Sequence, residues 1–472
     1  MPSHEGDFLA RFSLIVRLIM YSSGIYKQSP VVLQNVMVSV RNYIVRKLRN
    51  SSKFRLESED VAQTQWLSAD DLKTLQLKRL QTVVGHAALH VPYYRDLFAA
   101  SGFSVEQLTS LADMQRIPQL TKHIIASEGG RMLAENLKDY RFSTSTSGTT
   151  GMPLKLWRNL HSINRENAFV WRQCNWAGVK LGDRRMWMRE DKIVPASTKK
   201  PPFWRYNSAE NTMMMSAYHL SEDSVEDYIR ALEKFDPVFG MAYSAPLAFI
   251  ARYLLNSGRR YQGKALRCFI TSSETVTDEQ RQVVKAAFGV KIFDWYGSAE
   301  RVTAIGTCEQ GNYHLLSDYG FTELIPQSDN TFTLACTGFD NFLMPLIRYR
   351  MTDSIVPADS GYVCPCGRHF PVIEQLIGRS EDYLLTPDGR QVFMVGYLID
   401  ELDNILESQI RQDSPDEVRI LLVPVQGRMV NEPEVIARAR ELLGDDIHIK
   451  VEQVNDIPKT TNGKFRAVVR TI

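Results

Sequence analysis

Apolar residues in this chain recur at two spacings, and each spacing predicts a different element. Between Ser68 and His90, Leu72, Leu75, Leu77, Leu80, Val83 and Val84 return at threes and fours. That period lays one apolar stripe along a helix, and Pro92 predicts its end because proline cannot carry a helix on. Between residues 163 and 290, helical patterns alternate with short apolar runs. The runs at 238–243 and 268–273 read as buried parallel strands, each followed by a helical stretch, the alternation of an α/β sheet. In such sheets ligands bind beyond the carboxyl ends of the strands. Residues 376–472 predict a small α+β unit: a strand, a helix over 398–410, a strand over 418–423, a helix over 433–443 and a strand over 448–454. Residues 154–157, Leu-Lys-Leu-Trp, read as one more strand.

Size and charge narrow the class. At 472 residues and 44% hydrophobic, the chain predicts two or more domains with a sizeable core. Its 56 basic and 54 acidic side chains leave a net charge of +2, too weak a field to predict a nucleic-acid partner. No apolar run reaches the roughly 18 residues of a spanning helix; the run from Phe12 to Met20 is broken by Arg17. Asp7, with His4 before it, does not suit a secretory signal, so a cytoplasmic location is expected. Residues 8–55 mix apolar side chains with Arg41, Arg46, Lys47, Arg49, Lys53 and Arg55 in a helical pattern. Such a segment either rests peripherally on an anionic membrane or forms a solvated helix face.

Candidate chemistry centres on the run Ser145-Thr146-Ser147-Gly148-Thr149-Thr150-Gly151. Hydroxyls and glycines this dense give a loop rich in backbone N–H donors, a nest for polyphosphate. The Gly-x-x-x-x-Gly-Lys-Ser/Thr loop cannot be laid over it. Lys155 either adds charge or faces solvent. Among six cysteines, Cys174, Cys268 and Cys336 stand singly in apolar surroundings and read as buried small hydrophobes. Cys308, His314, Cys364 and Cys366 form a closed three-thiol, one-imidazole set suited to structural Zn²⁺, with Gly311, Pro365 and Gly367 to turn the loops.

The Ser/Thr/Gly loop resembles the phosphate-binding signature of the adenylate-forming superfamily of acyl-CoA synthetases. Four more blocks follow in that family's order: Asp294-Trp295-Tyr296-Gly297-Ser298-Ala299-Glu300, Arg348-Tyr349-Arg350-Met351-Thr352-Asp353, Ile377-Gly378-Arg379-Ser380-Glu381-Asp382, and Pro458-Lys459-Thr460-Thr461-Asn462-Gly463-Lys464. The stretch 80–95 is similar to the amino-terminal region of phenylacetate–CoA ligases and their capsule-associated CapK relatives, and residues 29–35 resemble the latter. The resemblance implies a large multi-subdomain α/β domain over 1–378, with a helical leader over 1–100, and a small mobile α+β lid over 379–472.

It also implies roles. Thr146, Ser147, Gly148, Thr149, Thr150 and Gly151 would cradle the ATP phosphates, the Tyr296 ring would stack on adenine with Ser273 and Glu274 near the base, and Gly297 and Ser298 would complete the ATP site. Asp353 would take the ribose hydroxyls, and Glu300 would hold Mg²⁺ against the phosphates. Arg379 would reach ribose or phosphate, Lys464 would stabilise charge in the adenylation step, and Glu381 sits at the hinge, where the family usually has Asp or Lys. Arg348 and Arg350 serve either nucleotide or structural ion pairs. The expected reaction joins a carboxylic acid to ATP as an acyl-adenylate and passes the acyl group to coenzyme A or another acceptor, such as a glycan in capsule biosynthesis. Tyr243, Ser244, Ala245, Pro246, Trp204 and Met241 are the candidate acyl-pocket residues, each equally explained by core packing. A non-catalytic nucleotide-binding scaffold and a γ-phosphotransferase stay open as alternatives.

Overall fold

The computed structural model describes residues 21, 23–49, 52–138, 140–145, 154–273, 276–327, 330–359, 361–377, 383–393, 398, 404–424, 428–455, 457 and 468–472. The α-helices among them are α1 (Gly24–Gln28), α2 (Val31–Arg49), α3 (Ser52–Thr64), α4 (Ala69–His90), α5 (Pro92–Ser101), α6 (Lys122–Glu128), α7 (Leu160–Trp176), α8 (Val225–Phe235), α9 (Ser244–Asn256), α10 (Asp278–Phe288) and α11 (Glu432–Leu443). The strands are β1 (Phe142–Ser145), β2 (Lys155–Arg158), β3 (Arg185–Met188), β4 (Trp204–Asn207), β5 (Thr212–Met215), β6 (Phe239–Ala242), β7 (Cys268–Ser272), β8 (Lys291–Gly297), β9 (Ala304–Thr307), β10 (Tyr313–Leu315), β11 (Gly320–Pro326), β12 (Phe332–Gly338), β13 (Tyr349–Pro357), β14 (Val372–Ile377), β15 (Tyr383–Leu385), β16 (Gln391–Phe393), β17 (Ile405–Ser414), β18 (Glu417–Pro424), β19 (His448–Gln453) and β20 (Val468–Arg470).

Local chemistry sets several of these boundaries. The Ser68 hydroxyl accepts from the Asp71 amide at 3.2 Å, and Asp70 and Asp71 face the positive end of the α4 dipole. Pro92 opens α5 at the position where a missing N–H costs nothing, and α5 closes on Gly102 at φ 65°. The strands expected near 154–157, 238–243 and 268–273 are β2, β6 and β7.

One mixed sheet dominates the fold, in the order β11-β12-β13-β14-β10-β9-β8-β7-β6-β3-β5-β4. From β8 to β5 the neighbours run parallel; from β8 to β11 every pairing is antiparallel. β4 closes one end antiparallel to β5. Its open hydrogen-bonding edge is covered by α2. The Asn35 side-chain oxygen accepts from the Tyr206 amide at 3.0 Å, and the Ser39 hydroxyl accepts from the Ser208 amide at 3.0 Å.

The three largest of five apolar clusters among the described residues divide the molecule. One packs α4 and α5 on the antiparallel half, a second packs α8–α10 on the parallel half, and a third unites α11 with the four-stranded sheet β19-β18-β17-β20 and Tyr218. A buried ion pair ties α7 to the helical leader: Arg172 donates to Asp318 at 2.5 and 3.1 Å, and the Thr64 hydroxyl donates to the same carboxylate at 2.5 Å. All three side chains are buried, so each satisfies a group that would be expensive to leave alone.

The helix expected over 398–410 is corrected over 405–410, which begins β17. Leu398, Leu402 and Ile405 fit a helical period, but β17 pairs with β18 from Ile405 onward and with β20 from Ile410, which commits its backbone to a sheet. Tertiary pairing overrides the local pattern there. The expected elements at 418–423, 433–443 and 448–454 are β18, α11 and β19.

A buried histidine makes stability pH-dependent. His219 is hydrogen-bonded at both ring nitrogens, to the Ser216 hydroxyl at 2.8 Å and the Pro195 carbonyl at 3.1 Å. Burial, then the Arg390 charge, lowers its pKa to about 4. The unfolded chain takes up this proton near pH 6.5 and the folded chain near 4, so stability should be complete above about pH 6.5. It should fall by about 3 kcal/mol as the pH drops through that window. Urea denaturation across the window should show this slope, and His219→Gln, neutral throughout, should flatten it.

Candidate functional site

The site grows from the end of β8, the strand that is parallel on one side and antiparallel on the other. Asp294 makes that possible. Its buried carboxylate accepts from the Thr271 hydroxyl of β7 at 2.7 Å and from the Tyr313 hydroxyl of β10 at 2.8 Å. Its amide donates to the Thr307 hydroxyl of β9 at 2.7 Å. Burial lifts the carboxyl above its usual range against these hydrogen bonds. Three residues on, a Cβ at Gly297 would stand 2.9 Å from the Trp295 indole nitrogen, so the turn out of β8 needs glycine.

That turn collects the described members of the motif blocks. The Tyr296 hydroxyl donates to Asp353 at 2.8 Å. Ser273, at the carboxyl end of β7, accepts from Arg189 at 3.3 Å. The Tyr349 hydroxyl donates to Glu300 at 2.8 Å. Glu300 is not at a helix start; it sits in the turn that leads to the antiparallel β9. The Ser298 hydroxyl is buried with no partner among the described residues. Arg158, at the end of β2, donates to the Ala299 carbonyl beneath this turn, and burial, then Arg301 beside it, draws its pKa down to about 10. Arg348 is an ion-pair partner, bidentate to Glu323 at 2.8 Å on both arms. Lys155 lies exposed with its ammonium 5.2 Å from the Trp157 ring.

Backbone strain marks the same places. Among described residues other than glycine with positive φ, four are Asn or Asp, which tolerate it; the others are Ser273 at 71°, Arg301 at 54° and Arg348 at 52°. Arg348 opens one motif block, Arg301 follows another, and Ser273 is a candidate residue of the adenine side. Thr146, Ser147, Gly148, Thr149, Thr150, Gly151, Glu274, Arg379, Glu381 and Lys464 lie outside the described residues.

A polar cluster that the sequence reading missed stands at the carboxyl ends of β3 and β6. The Tyr243 hydroxyl donates to Glu190 at 2.5 Å, Arg189 pairs with Glu190 at 3.3 Å, and the Trp187 indole donates to Asp191 at 2.6 Å. Burial opposes the Glu190 charge, yet Arg189 and Tyr243 outweigh it and hold the carboxyl below its usual range. Asp191, buried beside that charge, is pushed up. Arg189 bridges this cluster to Ser273. The available signal was position: Arg-Glu-Asp directly follows the run that forms β3. Of the other pocket candidates, Met241 is buried in β6 and Trp204 packs edge-on against Tyr228 at 6.1 Å.

The four metal-type ligands converge. The ligating atoms of Cys308, His314, Cys364 and Cys366 all lie within 4.8 Å of one another. The Cys308 and Cys364 sulfurs are 3.7 Å apart, and the Cys366 sulfur is 3.4 Å from His314 Nε2. A disulfide requires about 2.05 Å; a tetrahedral zinc with bonds near 2.3 Å has an edge of about 3.8 Å. His314 Nδ1 lies 3.2 Å from the Phe370 carbonyl, which fixes the tautomer with Nε2 unprotonated toward the sulfurs. The donor set and spacing fit zinc. Cys174, Cys268 and Cys336 are separately buried, as expected of small hydrophobes.

A family model for the CapK C-terminal domain matches residues 384–471. Protein CapK of Staphylococcus aureus is 28% identical over 455 residues, spanning 95% of this chain and 99% of its own. Phenylacetate-coenzyme A ligase of Aromatoleum evansii is 26% identical over 67% of this chain and 72% of its own. Along nearly its whole length the chain is thus similar to CapK. Its fold is that of the adenylate-forming ligases: a structure of 2-hydroxyisobutyryl-CoA ligase with 2-HIB-AMP and CoA superposes with a TM-score of 0.55 at 19% identity, covering 86% of this chain and 91% of that chain. No helix among its described residues is long and apolar enough to cross a membrane.

Tyr349 supplies a donor to the nearly buried Glu300, so Tyr349→Phe leaves a carboxylate short of one hydrogen bond. We expect a loss of about 1–3 kcal/mol in urea denaturation. An unchanged midpoint would mean that water replaces the phenol.

Proposed function

We propose that this chain activates a carboxylic acid with MgATP, forming an acyl-adenylate and pyrophosphate, and then transfers the acyl group to a thiol, coenzyme A in the first instance. The observation that carries the reading is the Tyr296–Asp353 hydrogen bond beside Ser273 at the carboxyl edge of the parallel strands, where a nucleotide is expected. In this reading the Tyr296 ring stacks on adenine and Asp353 accepts from the ribose hydroxyls. The Ser298 hydroxyl and the loop 146–151 donate to phosphate oxygens. Glu300 would hold Mg²⁺, an ion that takes few protein carboxylates and completes its shell with phosphate and water. Lys464 offsets charge shared by the attacking carboxylate and the α-phosphate. The lid over 379–472 turns at Glu381 between the two half-reactions, with Arg379 reaching the nucleotide.

The cluster of Arg189, Glu190 and Tyr243 supports an acid that carries a hydroxyl or ammonium donor over a plain aryl acetate, because Glu190 offers it a charged acceptor. The extent of likeness to CapK supports a role in capsule or exopolysaccharide biosynthesis, with a glycan-linked acceptor as the alternative to coenzyme A. The sulfur-rich cluster would hold a structural Zn²⁺ through Cys308, His314, Cys364 and Cys366, a clip between the β9–β10 hairpin and the approach to β14; with four protein ligands it leaves no position for a substrate.

Hydroxylamine-trapped pyrophosphate release, measured over aryl, fatty, hydroxy and amino acids with and without coenzyme A, should be acid-dependent. It should fall at least about 100-fold in Lys464→Ala. Formation of ADP in place of AMP, or indifference to Lys464→Ala, would defeat the proposal. For the metal, purified protein should carry one zinc per chain, lost in Cys364→Ser together with several degrees of melting temperature. Less than half an equivalent, unchanged in that variant, would remove zinc from the account.

A further inference from the structure

Helix α2 is unusual for a surface helix in carrying apolar residues on both faces. Val38 is buried in the apolar core and Met37 packs against it, but most of the inward contacts are polar. Gln34 is buried between the Tyr26 carbonyl and the Arg205 guanidinium, while Asn35 and Ser39 satisfy the edge of β4. On the outward face, Val32, Leu33, Val36, Val40 and Tyr43 are 44–75% exposed. Spaced at threes and fours, they form one continuous stripe, and Ile25 of α1 extends it at the amino-terminal end.

Charge says what covers the stripe. From Phe8 to Leu56 the sequence has no Asp or Glu, against nine Lys and Arg, in a chain whose totals are nearly balanced at 56 and 54. Within α2 the cations gather at the carboxyl end. Arg46 and Lys47 lie 5.9 and 5.6 Å from the Tyr43 ring, an aromatic flanked by cations as at a bilayer interface. Where the stripe ends, Arg46 and Lys47 also line a cavity of about 550 Å³ at the starts of β3 and β5, whose lining includes the carboxylates of Asp183 and Glu210 as well as Arg185. Arg46 there donates to the Ala209 carbonyl, which leaves Lys47 as the exposed cation at the rim. This is the edge of the sheet opposite the nucleotide-side turns, so a surface bound here leaves those turns open to solutes.

We propose that the outer face of α2 docks on an anionic bilayer, with Val32, Val36, Val40 and Tyr43 in the acyl–headgroup boundary and the exposed Lys47 on lipid phosphates. The helix lies on the membrane; it does not span it. This inference is independent of the ligase reading.

Vesicle sedimentation of the full-length chain tests it, with phosphatidylglycerol-containing vesicles against pure phosphatidylcholine. The chain should pellet with the anionic vesicles at low salt and release as the ionic strength rises past about 0.5 M. Val36→Glu combined with Val40→Glu should weaken the partition at least ten-fold, and Lys47→Gln by roughly five-fold. All three positions are exposed, so melting temperature should be unaffected, which separates lost docking from lost folding. No sedimentation with anionic vesicles would overturn the proposal, as would equal sedimentation with both compositions. So would binding that the Val36/Val40 variant leaves intact, because the contact would then lie elsewhere. A dimer in light scattering that this variant dissolves, without any vesicle binding, would assign the stripe to a second copy of the chain instead.

Discussion

A single buried carboxylate holds the architecture together. β8 must serve as the last strand of a parallel sheet and the first of an antiparallel one, and the two hydrogen-bonding patterns space their partners differently. Asp294 bridges the difference by taking one hydroxyl from β7 and another from β10 while its amide engages β9. The charge is costly in so buried a position, and its environment answers with oriented hydroxyls and with Arg281, which donates to Tyr313 at 2.6 Å. Because the carboxylate fixes where β8 ends, it also fixes the turn that carries Tyr296, Ser298 and Glu300. The candidate chemistry therefore hangs on a group that touches no ligand itself.

The antiparallel half needs an anchor of its own, since its strands are joined by turns and loops with no crossover helix between them among the described residues. The Cys308–His314–Cys364–Cys366 cluster fastens the hairpin β9–β10 to the loop before β14, within an apolar cluster that reaches Trp176 and Phe370. Arg368 extends the anchor: its guanidinium lies 4.2 Å from the Trp176 ring and pairs with Glu309 at 2.8 Å. With one clamp at the sense reversal and another at the hairpin, the strained residues Ser273, Arg301 and Arg348 are held between rigid neighbours.

Much of this was legible in the sequence, for identifiable reasons. Helix α4 and strands β6 and β7 obey local rules, with caps and apolar periods that no tertiary contact contradicts. The cysteine cluster was legible because tight loop residues flank ligand types that have few other uses together. The start of β17 was not, because Leu398, Leu402 and Ile405 suit a helical period and only pairing with β18 and β20 decides against it. That Glu300 lies in a tight turn was not legible, because the sequence does not announce that the next strand reverses direction. Arg189 and Glu190 carry no motif; they matter because β3 and β6, more than 50 residues apart, end side by side. Periodicity located α2 but could not say which face is inward, since apolar residues lie on both faces and Gln34, Asn35 and Ser39 meet protein beside Val38.

The cover on the sheet's end strand has a consequence for the order of assembly. Ser39 and the Tyr206 backbone it meets are 167 positions apart, and the helix leaves the ribosome long before the strand does. The nascent chain therefore already holds its own stopper when the vulnerable edge emerges, and no interval need pass in which that edge is offered to another molecule. A protein synthesised in the reverse order would present a bare strand to every neighbour until its last helix arrived.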